Sequence, residues 1–154
     1  VVRDQQVHDV DMSNWLFGKR EKVSTSGGNS IEGSGYDAVS TNYIYEDKKV
    51  INAQDDWVLL GDYSFQMKYR VNFEKENMIY EKDELTINPN KGEGFTPELT
   101  EDDGYYNEIR YFIDAIINDT DIKTAAPVST MQSITIAEAE MESADNRGET
   151  VILS

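Results

Sequence analysis

Alternating strand patterns in the middle of the chain constrain its fold more than any other feature. In residues 38–45 every second position is β-branched or aromatic, as in a strand with two different faces. A short turn and a second apolar run at residues 50–60 complete a hairpin. Residues 65–73 alternate in the same way, and residues 78–89 return as one or two further strands. Because no helical pattern separates these strands, we predict an open antiparallel sheet.

Helical patterns flank the predicted strands on both sides. Asp103 is placed to cap one helix, and Pro127 occupies a first-turn position of another. The predicted helices are residues 4–17, 104–119 and 127–148, the last with Val128, Met131, Ile134 and Met141 as most of its buried stripe, and a short strand at 149–154 closes the chain. The order of elements predicts an α+β fold in which helices lie on one face of a mainly antiparallel sheet, as a single domain spanning residues 1–154.

Composition excludes several classes of function. The chain has 154 residues, 14 Lys and Arg against 30 Asp and Glu, a formal net charge of −16, and no cysteine. This charge disfavours binding to nucleic acid or to an anionic membrane. Disulfides and thiolate metal sites are excluded, which favours a reducing, cytoplasmic location. No apolar run reaches the ~20 residues that span a bilayer. The start lacks both a signal-peptide pattern and an initiator Met, so we expect a processed or excised piece of a longer protein.

The single histidine, His8, lies among acidic residues in the first predicted helix. Asp4 precedes it by one helical turn, and Asp11 and Trp15 continue the same face. A carboxylate near an imidazole favours the charged ring and orients it, so His8 with Asp4 is a candidate general acid or base. The alternative is a weak local pair on an exposed helix, and spacing alone favours that alternative.

Two other kinds of site are weaker candidates. Asp4, His8 and Asp11 share a face, but zinc sites usually add further His or Cys ligands, and the oxygen-rich alternative, a Mg or Mn site, has little support, so we predict no metal. Tyr105 and Tyr106 open a helix directly after a loop, where either could pack locally or line a pocket. The segments "GSG" and "GEG" lack the strand-then-helix setting of a phosphate loop.

Three stretches, taken in order, resemble the Gfo/Idh/MocA oxidoreductases, the family of glucose–fructose oxidoreductase and inositol dehydrogenase. The first is "DQQVHDVDMSNWLFG" at residues 4–18, which matches a D-x-x-x-H-D-x-D…W-L-x-G pattern. The second runs from "AVSTNYIYEDKKVINAQDDW" through "FQMKYRVNFEKENMIYE", and the third from "GYYNEIRYFIDAIIND" to "AAPVSTMQSITIAEAEMESADNRGETVIL". Together they cover nearly the whole chain.

The resemblance implies a fold and a chemistry. Members of this family join an N-terminal Rossmann domain, which binds NAD or NADP, to an α+β domain of the dihydrodipicolinate-reductase-like type. The sheet of the second domain commonly mediates homo-oligomer contacts. By resemblance, His8 takes the proton of a sugar or polyol hydroxyl as hydride leaves for the nicotinamide, and Asp4 orients His8 or binds the substrate. Asp11, Tyr105 and Tyr106 are further substrate-binding candidates.

The chain also departs from the family pattern. It contains neither a G-x-G-x-x-G fingerprint nor the Glu-Lys-Pro lysine motif, both of which belong to the family's N-terminal domain. We therefore expect residues 1–154 to be the C-terminal domain alone, which by itself binds no cofactor and is inactive. Ala126 stands where relatives often carry a helix-capping Ser or Thr. The rival hypothesis is a stand-alone dimerising or carbohydrate-binding module without catalysis.

Overall fold

The computed structural model describes residues 1–100 and 102–153, which fold as two compact units. The first unit comprises Val1–Leu60 and Ile122–Ser154, and the second comprises Gly61–Asp121. In chain order the elements are a π-helix (Val2–Gln6), α1 (Val7–Phe17), β1 (Lys22–Gly28), β2 (Ala38–Ile44), β3 (Val50–Asp56), β4 (Tyr69–Asn72), β5 (Glu76–Glu81), β6 (Glu84–Pro89), α2 (Gly104–Ile117), α3 (Pro127–Asp145) and β7 (Val151–Ile152).

The first unit is a four-stranded antiparallel sheet with two helices against one face. Its strand order is β3-β2-β1-β7, and β2 pairs along its whole length with both β1 and β3. Inward and outward positions alternate, as the pleat requires, so that Val23 and Thr25 of β1 are fully buried. The main core cluster joins α1, α3 and the inner face of this sheet, and consists of Val10, Val23, Tyr43, Tyr45, Ala53, Ile136 and Ala139.

The second unit contains a smaller antiparallel sheet and α2. Its strand order is β4-β5-β6, and the stacked rings of Tyr69 and Tyr80 face each other across β4 and β5 with centroids 5.3 Å apart. Strands β5 and β6 are joined by Lys82 and Asp83, both at positive φ, as a type I′ turn requires. Asp103 caps α2 through its Oδ1, which accepts a hydrogen bond of 2.7 Å from the Tyr106 amide.

The α+β class, the antiparallel pairing and the order of helices are those predicted from the sequence, but several details differ. The strands form two sheets rather than one, and β1 was not predicted, because its sequence "KVSTSGG" carries few apolar residues. Of the strand predicted at residues 65–73, only Tyr69–Asn72 form a strand in the structure. The first helix begins as a π-helix at Val2 and becomes α-helical at Val7, rather than beginning near Asp4.

The buried stripe predicted for the third helix is wrong at three of its four positions, and only Met141 packs against a core cluster. Val128 and Met131 are each 63% exposed, and Ile134 is also exposed. The buried positions of α3 are mostly small or polar: Ser133, Ile136, Ala137, Ala139, Glu140 and Ser143. Because these side chains are small, α3 packs closely against α1 and β1. The buried face of α3 is therefore the one that allows close packing, not the one with the most apolar residues.

Candidate functional site

His8 lies in the first turn of α1, immediately after the π-helix, and its side chain is exposed. Asp4 is exposed within the π-helix, and Asp11 and Trp15 are exposed further along α1. The opposite side of the same segment is buried through Val2, Gln6 and Val10. Burial of these three residues turns the acidic side with His8 outward, where a substrate can reach it.

Asp4 and His8 do not form a direct pair in this structure. Within the described residues, neither side chain has a hydrogen bond or an ion pair. The π-helix accounts for part of this geometry, because its wider turn alters the spacing that an α-helix gives to residues four apart. His8 therefore presents an imidazole without a side-chain partner, next to an exposed carboxylate on the same segment.

Asp11 has a structural contact. Its Oδ1 accepts a hydrogen bond of 2.7 Å from the Ser133 hydroxyl, which ties α1 to α3. Tyr105 and Tyr106 lie in the first turn of α2, in the second unit, with both side chains exposed. The structure thus places Asp4, His8 and Asp11 on one helical segment, and the two tyrosines on a separate unit.

Two carboxylates that the sequence did not single out are close to His8. The pKa of Asp55, on β3, is raised to about 6, chiefly by burial and then by the neighbouring Asp9 carboxylate, while the charges of the N-terminus and of His8 act in the opposite direction. Burial also raises the pKa of Asp9, and His8 again acts in the opposite direction. Oδ2 of Asp55 has no hydrogen-bond partner within the described residues. Strand alternation could have found Asp55, because it shares the inward side of β3 with Ile51 and Ala53.

A buried polar cluster lies beneath α1 and joins it to β2 and α3. The Arg20 guanidinium stacks on the Tyr43 ring, with Cζ 4.1 Å from the ring centroid. Its Nη2 donates hydrogen bonds to the Val10 carbonyl (3.0 Å) and the Ser13 hydroxyl (3.1 Å). Glu140 approaches the same ring from α3 and is fully buried. Arg20 and Glu140 therefore both lie against Tyr43, and all three side chains are buried.

Burial raises the pKa of the Glu140 carboxyl to about 7. The Tyr43 hydroxyl, the Arg20 charge and the Gln6 amide lie close enough to lower that pKa in part. Even so, neither Glu140 oxygen has a well-aligned hydrogen bond within the described residues. Because the ionised carboxylate is poorly compensated there, the neutral form of Glu140 is favoured over a wide pH range.

The described residues contain neither a cluster of metal ligands nor a membrane-spanning helix. In the part of the chain that the structure describes, no three His, Cys, Asp or Glu residues are arranged to hold a metal ion. No helix among residues 1–100 and 102–153 is long and apolar enough to cross a membrane.

Solved structures with a similar fold are oxidoreductases about twice as long as the chain. UDP-N-acetylglucosamine 3-dehydrogenase from Acidithiobacillus ferrooxidans matches with a TM-score of 0.82 and 17% identity, over 97% of this chain and 48% of that enzyme. Levoglucosan dehydrogenase, solved with NADH and levoglucosan, matches with a TM-score of 0.81 and 17% identity, over 97% of this chain and 49% of that enzyme. An oxidoreductase from Agrobacterium radiobacter, solved with NAD+, L-tartaric acid and magnesium, has a TM-score of 0.80 and 14% identity, over 99% of this chain and 48% of that one.

These matches establish the class of fold. The similar structures are oxidoreductases of the Gfo/Idh/MocA type, and the chain has the fold of their C-terminal domain. It spans about half the length of the structures that it matches. No protein-family model and no curated protein sequence matches the chain. The fold predicted from the three sequence stretches is therefore confirmed by structural similarity, at an identity too low to transfer an activity.

Proposed function

We propose that residues 1–154 are the C-terminal, substrate-binding and oligomerisation domain of an NAD(P)-dependent oxidoreductase that acts on a hydroxyl of a sugar, polyol or inositol-like compound. The observation that carries the proposal is the exposed His8, next to Asp4, at the start of α1 in a chain with this fold. Similar structures whose names specify substrates act on sugar-like compounds. A cofactor-binding domain of the Rossmann type, encoded before Val1, completes the proposed enzyme.

The proposed chemistry assigns proton transfer to this chain. In the oxidation direction, a neutral His8 imidazole accepts the proton of the substrate hydroxyl as the carbonyl forms, and then releases it to solvent. In the reduction direction, the protonated imidazole donates this proton to the carbonyl oxygen. Asp4 accepts a hydrogen bond from the ring or from a neighbouring substrate hydroxyl, which fixes the ring or the sugar. The second oxygen of Asp11 supplies a further polar contact to the sugar, and Tyr105 and Tyr106, on the second unit, are separate candidates for contacts to a substrate.

NAD or NADP, held elsewhere in the protein, supplies the acceptor for the hydride that leaves the carbinol carbon. The described residues do not fit a dinucleotide phosphate site. The Gly- and Ser-rich loop after β1 wraps instead around the fully buried Asp37, whose Oδ2 accepts hydrogen bonds from the amides of Ser30 (2.7 Å) and Ile31 (2.5 Å). These amides are used within the loop, so we assign no residue of this chain to hold the cofactor.

The test is turnover by the full-length protein with NAD+ or NADP+ and a panel of sugars, inositols and nucleotide sugars. His8→Ala is expected to lose turnover while it binds cofactor as tightly as the wild type, because the imidazole serves only the proton transfer. Met12→Ala, on an exposed part of the same helix, is the matched control and should keep its rate. Undiminished turnover in His8→Ala would remove His8 from the mechanism.

The rival hypothesis, a binding module without catalysis, makes the opposite prediction. In that case the full-length protein binds no nicotinamide cofactor, and its reading frame shows no Rossmann pattern before Val1. A domain of roughly 120 residues with that pattern is what the oxidoreductase proposal requires there.

The proposed homo-oligomer uses the face of the larger sheet that α1 and α3 leave open. Asn42, Asn52 and Gln54 are exposed on it, and Val50 is 94% exposed on the edge strand β3. Light scattering of the full-length protein should show a dimer or larger assembly, and Gln54→Arg should weaken it. A monomer at high concentration would count against this face as the interface. We place the enzyme in the cytoplasm, consistent with a chain that has no cysteine.

A further inference from the structure

A chain of hydrogen bonds crosses the core of the first unit and ends at the π-helix. On α3 the Ser143 hydroxyl accepts a bond of 2.8 Å from the Thr25 amide of β1. The Thr25 and Thr41 hydroxyls lie 2.9 Å apart, which links β1 to β2. The Gln6 amide then donates to the Thr41 hydroxyl at 3.2 Å, and its second contact, with the Tyr43 hydroxyl, is longer at 3.5 Å. Gln6, Thr25, Thr41 and Ser143 are all fully buried.

Gln6 occupies a position from which it can control His8. It is the last residue of the π-helix, two residues before His8, and points inward while His8 points outward. The π-helix itself begins with the Val1 carbonyl, which accepts from the amides of Asp4, Gln5 and Gln6. Three amides thus share one acceptor, a less regular arrangement than the single bond that each carbonyl accepts in an α-helix. The side-chain bond from Gln6 to Thr41 therefore adds a directional restraint that the turn lacks.

Apolar packing holds the π-helix through Val2, which is buried with Val39 and Ala137, but it leaves much of α1 exposed. Of the residues from Val7 to Phe17, only Val10 and Ser13 are fully buried. Hydrophobic contacts have no preferred direction, whereas a hydrogen bond has one. A buried amide that loses its hydrogen-bond partner also lowers the stability of the fold by about 1–3 kcal/mol. Arg20 holds the middle of α1 through the Val10 carbonyl, and Gln6 holds its beginning. Polar contacts to β2 and to Arg20 therefore add directional restraints to the apolar packing of Val2 and Val10 in the segment that carries His8.

We infer that Gln6 and Thr41 are positioning residues for His8: the buried bond between them fixes the π-helix and so aims the imidazole at the substrate. This inference rests on the proposed function, since it assumes that the orientation of His8 matters to turnover. Neither residue contacts substrate, so their effect must reach the reaction through the backbone of residues 6–8.

The experiment compares variants that break this bond with variants that keep it. Gln6→Met has similar length but cannot donate, and it also removes Gln6 Oε1, a buried atom without a partner within the described residues. Thr41→Val keeps the shape of Thr41 and removes its hydroxyl, whereas Thr41→Ser keeps the hydroxyl. Thr135→Val, on an exposed part of α3, is the matched control.

Two readouts separate positioning from stability. In full-length protein labelled at histidine, the imidazole resonances of His8 are assigned by their loss in His8→Gln and followed through a pH titration. In Gln6→Met and Thr41→Val these resonances should shift and broaden, and kcat should fall about tenfold or more, as small misplacements do. KM and cofactor affinity should stay within about twofold, since the binding groups are untouched. Thr41→Ser and Thr135→Val should resemble the wild type.

The inference is overturned if folded Gln6→Met or Thr41→Val keeps both the wild-type His8 resonances and the wild-type kcat. Should Gln6→Met not fold, Thr41→Val carries the same readouts, and rescue by Thr41→Ser identifies the hydroxyl as the cause. Failure of the proposed function has a different signature, because His8→Ala would then leave turnover unchanged even where Gln6→Met alters the His8 resonances.

Discussion

The buried Glu140 makes a specific prediction about how stability depends on pH. Its carboxyl has a pKa of about 7 in the folded chain, against about 4.3 for an exposed glutamate. Between these values the folded state holds a proton that the unfolded state has released. Stability is therefore fully present below about pH 4 and is lost as the pH rises through 7. At about 1.4 kcal/mol per pH unit, a difference of about 2.7 units corresponds to a loss of about 4 kcal/mol over the full range.

Replacement of Glu140 by Gln removes this titration with little change of shape. The difference in free energy of unfolding, Gln variant minus wild type, should rise by most of this amount, about 3 kcal/mol, between about pH 4 and pH 8, because an unfolded glutamate is already partly ionised at pH 4. Comparing this difference in free energy of unfolding at two pH values cancels any effect of the substitution that does not depend on pH. The effect of the Arg20 charge, which is present in both proteins, is one example. Glu142→Gln is the matched control on the same helix, because Glu142 is exposed to water.

Tryptophan fluorescence in urea is a suitable assay for this prediction. The two tryptophans of the chain, Trp15 and Trp57, both lie in the first unit together with Glu140. Glu142→Gln should follow the pH dependence of the wild type. A difference between Glu140→Gln and the wild type that stays constant from pH 4 to pH 8 would refute the reasoning, since Glu140 would then titrate alike in both states.

Three further changes test the local structure by urea unfolding. Ala126→Ser should stabilise the first unit by about 1 kcal/mol, because Ala126 has extended N-cap geometry but no capping side chain; no gain would argue against that geometry. Lys82→Asn combined with Asp83→Gly should stabilise the second unit by about 1 kcal/mol, measured by circular dichroism, since both residues have positive φ; a loss would contradict the assigned turn. Ser133→Ala should destabilise the first unit by about 1 kcal/mol through the lost bond to Asp11, and unchanged stability would make that contact incidental.

Local signals in the sequence predicted the parts of the fold that local interactions determine. The Asp103 cap is read from the residue type at the start of a helical pattern, and the structure confirms it. The hairpin of β2 and β3 follows from alternation of apolar positions, and its full register is present. Gly18 ends α1 at a φ of 75°, as expected of a glycine just past a helix.

The features that were missed depend on tertiary contacts. Hydropathy assigns Gln6, Arg20 and Glu140 to the surface, yet all three are buried because they face one another around Tyr43. The π-helix leaves no mark in the sequence, since its residues also suit an α-helix. Of the site, the sequence indicated Asp4, His8 and Asp11 on one segment, but not the Asp55 carboxylate contributed by β3. Because β3 is distant from α1 in sequence, the spacing of residues along α1 gives no sign that Asp55 lies near His8.

The acid–base role of His8 is the central claim, and chemical rescue tests it most directly. Turnover of the full-length protein with its best substrate from the sugar and polyol panel is measured for His8→Ala, with and without added imidazole. The account predicts a loss of about 10²–10⁴-fold in kcat, partly restored in proportion to the imidazole concentration. A His8→Ala enzyme that turns over at the wild-type rate without imidazole would contradict it.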